Sequence, residues 1–361
     1  MQILSWQAIA ATPTSTPIET PPQQNPLSFM YTANQASHNI SAFVINTSGE
    51  LEEVPGSPFK VGQFPVSITH TPDGRFIYVT NQASASISGY SINSLTGAIT
   101  PIAGSPFKSV KYPDSITVSP DGRYAYVTNE DDDSLSVFRI GAVSGALTLS
   151  TRTVPTGKHP IAVAVTPSNR FVFVANYDAN SISTYRIDSG DATLVDLKRE
   201  TATQEHPIHI AISPDSQFAY VANYGSTTVS AYRIDRQSGV LVELDGSPFI
   251  SGAQPYSVVV DPSGRYLYVA NWGGHDVTAF RLDSVSGGLT ELQESRFDAG
   301  WYPYDVVVDP SDHFVYVANN GAATISSYSL GKEGRLVKLP ASPISTGLGP
   351  YAMTVVAPQY H

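Results

Sequence analysis

Residues 266–271 read YLYVAN, and this six-residue phrase decides the fold. It recurs as FMYTAN at 29–34, FIYVTN at 76–81, YAYVTN at 124–129, FVFVAN at 171–176, FAYVAN at 218–223 and FVYVAN at 314–319. Its closing asparagines are 47 or 48 residues apart: Asn34, Asn81, Asn129, Asn176, Asn223, Asn271 and Asn319. A repeat of this length, rich in β-formers and turn residues, is typical of propeller blades. The sequence therefore predicts an all-β, seven-bladed β-propeller.

Each repeat predicts four antiparallel strands. In one copy, β-branched residues at 256–260 form a first strand, and a Pro/Gly turn at 261–265 leads to the second strand at 266–271. A more polar third strand at 276–282 and a short fourth strand at 289–292 follow. We expect the first strand to be innermost. Prolines open the copies with the same spacing: Pro65, Pro113, Pro160, Pro207, Pro255, Pro303 and Pro350.

The ends of the repeat array predict how the ring closes. The first copy begins at 29–34 with a second strand, and the last first strand, from Tyr351 to Ala357, has no copy after it. We expect these two segments to pair, because pairing removes open sheet edges. Residues 27–361 are thus predicted to form one domain. Residues 1–26 are predicted to be a cleaved or disordered segment that ends in a Pro/Thr-rich tether.

Composition limits the function classes. The formal net charge of −11 argues against nucleic-acid binding, and no apolar stretch approaches the length that spans a bilayer. Cysteine is absent, which excludes disulfides, thiolate metal sites and a cysteine nucleophile. Residues 8–10, AIA, fit a cleavage pattern and favour a periplasmic or extracellular protein, with a cytoplasmic one as the alternative. We expect a monomer.

Strand order divides the loops between two faces. First strands begin and second strands end on the same face, called the top here. The segments around the opening prolines and after the asparagines therefore converge on the upper mouth of a central channel. Turns such as TPDGR at 71–75 and SPDGR at 119–123 lie on the bottom face. Their uniformity indicates a structural role.

The top-face residues combine aromatic rings with carboxylates and imidazoles. We predict ligand-binding residues at Tyr112, Asp114, Tyr177, Tyr224, Tyr256, Trp272, Trp301, Tyr304, Asp305 and Tyr351. Candidate catalytic residues are His159, Glu205, His206 and His209. The alternatives are that the rings only fill seams between blades and that the histidines bind a metal. We expect neither a metal nor another cofactor, and we interpret the acidic loop at 130–133 as solvated.

The phrases SPDGRYAYVTN at 119–129, SLSVFRI at 134–140 and GSPF at 56–59, 104–107 and 246–249 carry a resemblance. Over residues 27–358 the chain resembles the YVTN-repeat propellers and the related 6-phosphogluconolactonase-like, or lactonase-family, propellers. That family includes lactone hydrolases and non-enzymatic binding proteins. Its enzymes are expected to use His, Glu and Arg at the mouth.

This chain departs from the enzymatic pattern, because no arginine stands at the start of a first strand and only Lys111 and Lys158 could supply a cation there. On that ground the sequence favours a binding or scaffold propeller for a small molecule, glycan or peptide. The alternative is a lactonase in which His206 or His209, paired with Glu205, Asp114 or Asp305, activates water.

Overall fold

The computed structural model describes residues 28–150, 153–188 and 193–357. The described chain forms seven antiparallel sheets, each a blade of a ring around a central channel. The predicted all-β, seven-bladed architecture is confirmed. The segment 1–26, predicted to be cleaved or disordered, lies outside the described residues. No helix in the described ranges is long and apolar enough to cross a membrane.

Blades are numbered so that blade 1 contains the first copy of the repeated phrase. The innermost strands of blades 1 to 7 are Pro350–Val356, Pro65–His70, Pro113–Val118, Pro160–Val165, Pro207–Ile212, Pro255–Val260 and Pro303–Val308. The second strands are Ser28–Asn34, Phe76–Asn81, Tyr124–Asn129, Phe171–Asn176, Phe218–Asn223, Tyr266–Asn271 and Phe314–Asn319. The third strands are Asn39–Ile45, Ser86–Ile92, Ser134–Ile140, Ser181–Ile187, Thr228–Ile234, Asp276–Leu282 and Thr324–Leu330.

Most outer strands are split in two. The pieces are Leu51–Glu53 and Phe59–Lys60, Ile99–Pro101 and Phe107–Lys108, Leu147–Leu149 and Val154–Pro155, Leu241–Glu243 and Phe249–Ile250, and Leu336–Lys338 and Ile344–Ser345. Blades 4 and 6 have continuous outer strands, Leu194–Ala202 and Leu289–Asp298. In blade 6 the residues at the position of GSPF read ESRF, so Arg296 replaces the proline. No proline therefore interrupts the pairing of the outer strand with the third strand. Short 3₁₀ turns occur at Glu130–Asp132, Asn320–Ala322 and Lys332–Gly334.

The second strands form the densest part of the core because each lies between two neighbouring sheets. The tyrosine in the middle of the repeated phrase also ties one blade to the next. In five blades of the described chain its hydroxyl donates to a glycine carbonyl in the outer hairpin of the following blade, as from Tyr78 to Gly145 at 2.7 Å and from Tyr316 to Gly49 at 2.9 Å. Gly49 is needed there, since its φ is +82° and a Cβ would lie 2.1 Å from the Phe314 ring.

The ring closes as predicted. Pro350–Val356 pairs antiparallel with Ser28–Asn34 and supplies the innermost strand of blade 1. On its other side, Thr354 is 2.7 Å from Nδ1 of His70, which ends the innermost strand of blade 2. The two ends of the described chain are therefore held in one sheet, with a polar contact to the next.

Candidate active site at the mouth of the channel

Two rings of side chains line the upper channel, and both come from the residues that follow the opening prolines. The residues directly after the prolines form the neck ring: Val66, Asp114, Ile161, Ile208, Tyr256, Tyr304 and Tyr351. The next residues form the lower ring: Ser67, Ser115, Ala162, His209, Ser257, Asp305 and Ala352. Together they line one cavity. Because the prolines fix the register of every innermost strand, the same two repeat positions supply the wall in all seven blades.

The residue before each proline closes the top loop. In six blades it is a non-glycine residue with a left-handed backbone: Phe64, Tyr112, His159, His206, Gln254 and Tyr302, with φ from 48° to 57°. Each carbonyl accepts the N–H of the residue that follows the closing asparagine of the same blade, as at Tyr177 and His159, 2.8 Å apart. The backbone is thus the same in every blade, while the side chains differ.

A carboxyl pair occupies the blade 3 side of the mouth. Asp114, in the neck ring, is buried, and it is hydrogen-bonded to Glu130 at the start of the 3₁₀ turn. Burial, followed by the charge of Glu130, raises the pKa of Asp114 well above its ordinary value. Gln82 holds the pair from blade 2, since its Nε2 donates to Asp114 Oδ2 at 3.1 Å and to Glu130 Oε2 at 2.6 Å. The raised pKa favours the protonated form of Asp114 beside Glu130.

His159 completes this side of the mouth. Its Nε2 lies 2.7 Å from Oε1 of Glu130, and its Nδ1 lies 3.1 Å from Oδ2 of Asp178. The structure places it at the mouth, where its carboxylate partners are Glu130 and Asp178. The acidic loop at 130–133 is not uniformly solvated, as the sequence suggested, because Glu130 turns inward and only Asp131 and Asp132 stay exposed.

Three tyrosines form the opposite wall of the neck. The hydroxyls of Tyr256 and Tyr351 are 2.5 Å apart, and the Tyr304 ring lies 4.2 Å from that of Tyr256 and 4.7 Å from that of Tyr351. Burial raises the pKa of Tyr256 and of Tyr351 well above the ordinary value, and the nearby charge of Asp114 adds to the rise in both. Both phenols therefore stay protonated at neutral pH. The carboxyl pair and the phenol pair therefore interact electrostatically across the neck, where the dielectric constant is low.

Side chains of the lower ring form hydrogen bonds to the backbone of the innermost strand in the following blade. Ser67 accepts the N–H of Ile116 at 3.2 Å, and Asp305 accepts the N–H of Met353 at 2.8 Å, each from the following blade. His209 takes the same position in blade 5, where its Nδ1 lies 3.1 Å from the carbonyl oxygen of Val258. Burial lowers the pKa of His209, opposed by the charge of Asp305, so the imidazole is neutral in the channel at neutral pH.

Asp305 is the carboxylate that acts on His209. Burial raises the pKa of Asp305, and the charge of His209 opposes that rise. Ser257 donates to Asp305 Oδ1 at 2.8 Å. His209 and Asp305, one of the pairs expected from the sequence, both line the lower ring, but within the described residues their side chains form no hydrogen bond or ion pair with each other. His209 likewise forms no hydrogen bond or ion pair with Glu205 or Asp114.

Several predicted site residues lie away from the cavity. Glu205 is exposed, and within the described residues its side chain forms no hydrogen bond or ion pair, so the pairing with a histidine expected from the sequence is wrong. Tyr112 and Trp301 point into solvent, with 46% and 69% of their surface exposed. They occupy top-face loops as expected, but neither lines the neck.

The other predicted aromatic residues contact one another on the top of blades 4 to 7. The Tyr177 ring stacks on His206 at 4.2 Å, and Tyr224 lies 5.8 Å from Tyr256 of the neck. Trp272 is 6.0 Å from Tyr224. Sequence reasoning therefore identified most of the mouth. It assigned Gln82 and Glu130 no role in the site, although both follow a closing asparagine, the same position that supplies Tyr177, Tyr224 and Trp272.

The ionisable side chains at the mouth do not favour binding of a metal ion or of an anion. In the described ranges, no three His, Cys, Asp or Glu side chains are arranged to hold a metal ion. Neither the neck nor the lower ring contains Lys or Arg. Of the two lysines near the mouth, Lys158 pairs with Asp133.

The chain is thus a seven-bladed propeller with a carboxyl pair and a phenol pair at the mouth of its channel. A search of curated protein sequences finds no significant match. The model of the family described as "Lactonase, 7-bladed beta-propeller" matches residues 24–113, 103–208, 178–256 and 209–353. The chain belongs to this family.

Solved structures share the fold. A Bacteroides fragilis protein described as a candidate 6-phosphogluconolactonase has a TM-score of 0.82 and 20% identity, over 94% of this chain and 100% of its own. A candidate 6-phosphogluconolactonase from Bacteroides uniformis has a TM-score of 0.79 and 19% identity, over 92% and 100%. The Pseudomonas aeruginosa periplasmic gluconolactonase has a TM-score of 0.74 and 20% identity, over 92% and 99%.

Family membership corrects the functional preference drawn from the sequence. The expected non-enzymatic binding or scaffold propeller is wrong, and the lactonase alternative is favoured. The error came from the missing arginine. Its absence argues against a phosphate group on the substrate, but ester hydrolysis itself does not require an arginine.

Proposed function

We propose that this protein hydrolyses the lactone ring of an unphosphorylated sugar acid at the mouth of its channel. The observation that carries the proposal is the buried carboxyl pair Asp114–Glu130, which stands across the neck from the hydroxyl pair Tyr256–Tyr351 in a chain of the lactonase family. Lactone hydrolysis requires a base for the attacking water, a donor for the oxyanion and an acid for the departing ring oxygen.

The carboxyl pair supplies the base and the acid. The raised pKa of Asp114 favours its protonated form, so Asp114 is the acid, and Glu130 is the base that accepts a proton from the water as the water oxygen bonds to the carbonyl carbon. The tetrahedral intermediate then breaks its bond to the ring oxygen, which takes the proton of Asp114. The product is the open-chain hydroxy acid. Gln82 and His159 hold Glu130 in place throughout.

The tyrosine pair supplies the oxyanion donor. Within the pair, one hydroxyl donates to the other, which leaves one hydroxyl hydrogen directed away from the pair. The raised pKa of both phenols keeps that hydrogen in place at neutral pH. A donor fixed in a sheltered neck stabilises a developing negative charge more than water does.

The charge of the mouth favours an unphosphorylated substrate. The Asp114–Glu130 pair and Asp178 contribute negative charge there, and no Lys or Arg lines the cavity. A phosphate would meet like charges at short range and find no guanidinium or ammonium partner. A neutral aldonolactone avoids this penalty, and the Tyr256, Tyr304 and Tyr351 rings offer surfaces on which a sugar ring can pack.

The test compares δ-gluconolactone with its 6-phosphate, with spontaneous opening subtracted. We expect faster turnover of the unphosphorylated lactone, and a fall of about 10² or more in kcat in Glu130→Gln. Asp131→Asn is the matched control, because Asp131 lies in the same 3₁₀ turn but is exposed. The proposal fails if the wild-type protein hydrolyses neither lactone, or if Glu130→Gln retains the wild-type rate. A preference for the phosphorylated lactone overturns the substrate assignment alone.

We also propose that the protein works outside the cytoplasm. The support is the small-x-small pattern at 8–10 and the Pro/Thr-rich segment up to residue 26. Cell fractionation with the full chain tests this, and recovery only in the cytoplasm contradicts it.

A further inference from the structure

The aromatic surface of the neck continues outward over the top of the ring. Tyr224 is the connection, because its ring lies 5.8 Å from Tyr256 in the neck, 6.0 Å from Trp272 and 6.5 Å from Tyr177. None of these three contacts is a parallel stack; the interplanar angles are 87°, 62° and 37°. A continuous path of rings therefore leads from the reacting neck to the rim.

The two rings beside Tyr224 are held rigidly by outer partners. Tyr177 stacks on His206 at 4.2 Å and 6°, and Trp272 stacks on Tyr302 at 4.6 Å and 20°. These five residues are called the aromatic arc. His206 and Tyr302 precede opening prolines, so the sevenfold backbone fixes their positions. Rings preorganised in this way lose little entropy when a ligand packs against them.

Seam filling does not account for the arc. All five of its residues keep part of their surface accessible, and 39% of Tyr302 is exposed. The seams between blades are filled instead by buried rings of the second strands, such as Tyr220 and Tyr268, whose hydroxyls donate to glycine carbonyls. The arc is therefore a solvent-facing surface that begins at the active site.

The chemistry of the arc selects sugars. Its flat faces carry polar edges, namely the phenol oxygens and the imidazole nitrogens, and the carboxylate of Asp178 stands beside it. An acyl chain would need an enclosed apolar groove, whereas sugar rings combine apolar faces with hydroxyls on their edges. The spacing between neighbouring rings is comparable to the width of one sugar ring.

We propose that the substrate is the lactone of an oligosaccharide aldonic acid, and that its second sugar ring packs on Tyr224 between Tyr177 and Trp272. The aldonolactone unit occupies the neck, and the glycosidic substituent leaves it along the aromatic arc. This inference rests on the proposed lactonase activity and extends it from the reacting unit to the rest of the substrate.

The experiment compares δ-gluconolactone with δ-cellobionolactone, the lactone of a disaccharide acid. Wild-type kcat/KM is expected to be about three- to tenfold higher for the disaccharide lactone, the range given by one aromatic packing interaction. Tyr224→Ala lowers kcat/KM for the disaccharide lactone more than for the monosaccharide lactone and thereby abolishes the preference. Trp301→Ala, an exposed aromatic without a ring contact to the arc, is the matched control and retains the preference.

Equal wild-type kcat/KM for the two lactones, or an equal loss for both in Tyr224→Ala, overturns the inference while leaving the lactonase proposal in place. Hydrolysis of neither lactone overturns both. If Tyr224→Ala melts well below the wild type, Tyr224→Leu retains the bulk and removes the aromatic face, and the same ratio of kcat/KM values is measured.

Discussion

The bottom and top faces of the ring obey the same backbone symmetry, but only the bottom face repeats its side chains. In the bottom turns, one side-chain oxygen accepts the N–H of the residue that starts the second strand. Thr71 accepts from Phe76 at 3.1 Å, and Ser213 accepts from Phe218 at 2.9 Å. Blades 6 and 7 use aspartate for the same bond, with Asp261 and Asp309. The residue type is therefore nearly constant where the side chain accepts a hydrogen bond from the backbone.

On the top face the backbone requirement is met by main-chain atoms. The carbonyl before each proline accepts the N–H that follows the closing asparagine, whatever the two side chains are. Those side chains are free to vary, and they do: glutamine, glutamate, tyrosine and tryptophan occupy equivalent positions in blades 2 to 6. We therefore expect function to be concentrated on the top face, where the backbone is regular but the side chains differ. Changes on the bottom should cost stability, and changes on the top should cost activity.

The largest effect on stability is expected from removing the C-terminal strand, which closes the ring. Deleting residues 350–361 leaves blade 1 without its innermost strand and exposes the edge of Ser28–Asn34. We expect loss of cooperative folding, measured as the disappearance of a single thermal transition by circular dichroism. A truncated chain with an undiminished melting temperature would contradict the closure.

On the top face, Tyr256→Phe or Tyr351→Phe removes the proposed oxyanion donor. Loss of one such donor lowers kcat by about 10²–10³ and leaves KM nearly unchanged. Steady-state kinetics with δ-gluconolactone measure both constants. Tyr112→Phe, a change of the same atom on an exposed ring, should have no effect. A Tyr256→Phe variant with wild-type kcat would remove the phenol pair from the mechanism.

At the lower end of the channel, His70 should make stability depend on pH. Burial lowers its pKa to about 4, so the folded protein binds this proton less readily than the unfolded chain does, whose histidine pKa is 6.5. The stabilisation is complete above pH 6.5 and is lost as the pH falls from 6.5 to 4, by ~3 kcal/mol at most. Melting temperatures at pH 7.5 and 5 test this. His70→Asn should lose less on acidification than the wild type, and equal losses would contradict the assignment.

A smaller effect is expected in the bottom turns. Ser213→Ala removes the acceptor for the N–H groups of Phe218 and Gln217, so stability should fall by about 1 kcal/mol without a change in kcat. Urea unfolding and the lactone assay measure the two quantities. A fall in kcat at unchanged stability would mean that the bottom face takes part in function.

The repeat made the architecture predictable to within a residue or two, because proline, asparagine and glycine positions follow from local backbone demands. It predicted the pairing of the last strand with the first and the division into two faces. The site was less predictable. Glu130 reaches Asp114 only because a 3₁₀ turn directs it inward, and Gln82 bridges from the neighbouring blade. Contacts across blades depend on side-chain direction, which the spacing of the repeat does not encode.

The comparison of the two faces is tested most directly by Asp114→Asn on the top against Asp121→Asn on the bottom. The folded-state pKa of Asp114 is raised, so its contribution to stability is lost as the pH rises above the usual 3.8, and at neutral pH the carboxyl destabilises the fold. Asp114→Asn should therefore lower kcat for δ-gluconolactone by about 10² or more while its melting temperature stays equal or rises.

Asp121 Oδ1 accepts the Ser119 hydroxyl and the Arg123 N–H in a bottom turn. Asp121→Asn keeps that oxygen but removes the negative charge that strengthens both bonds, so it should lower the melting temperature slightly and leave kcat unchanged. We expect this crossed result when both variants are measured in one buffer at neutral pH. An Asp114→Asn protein that keeps wild-type kcat, or that loses kcat only in proportion to a lost fold, would contradict it.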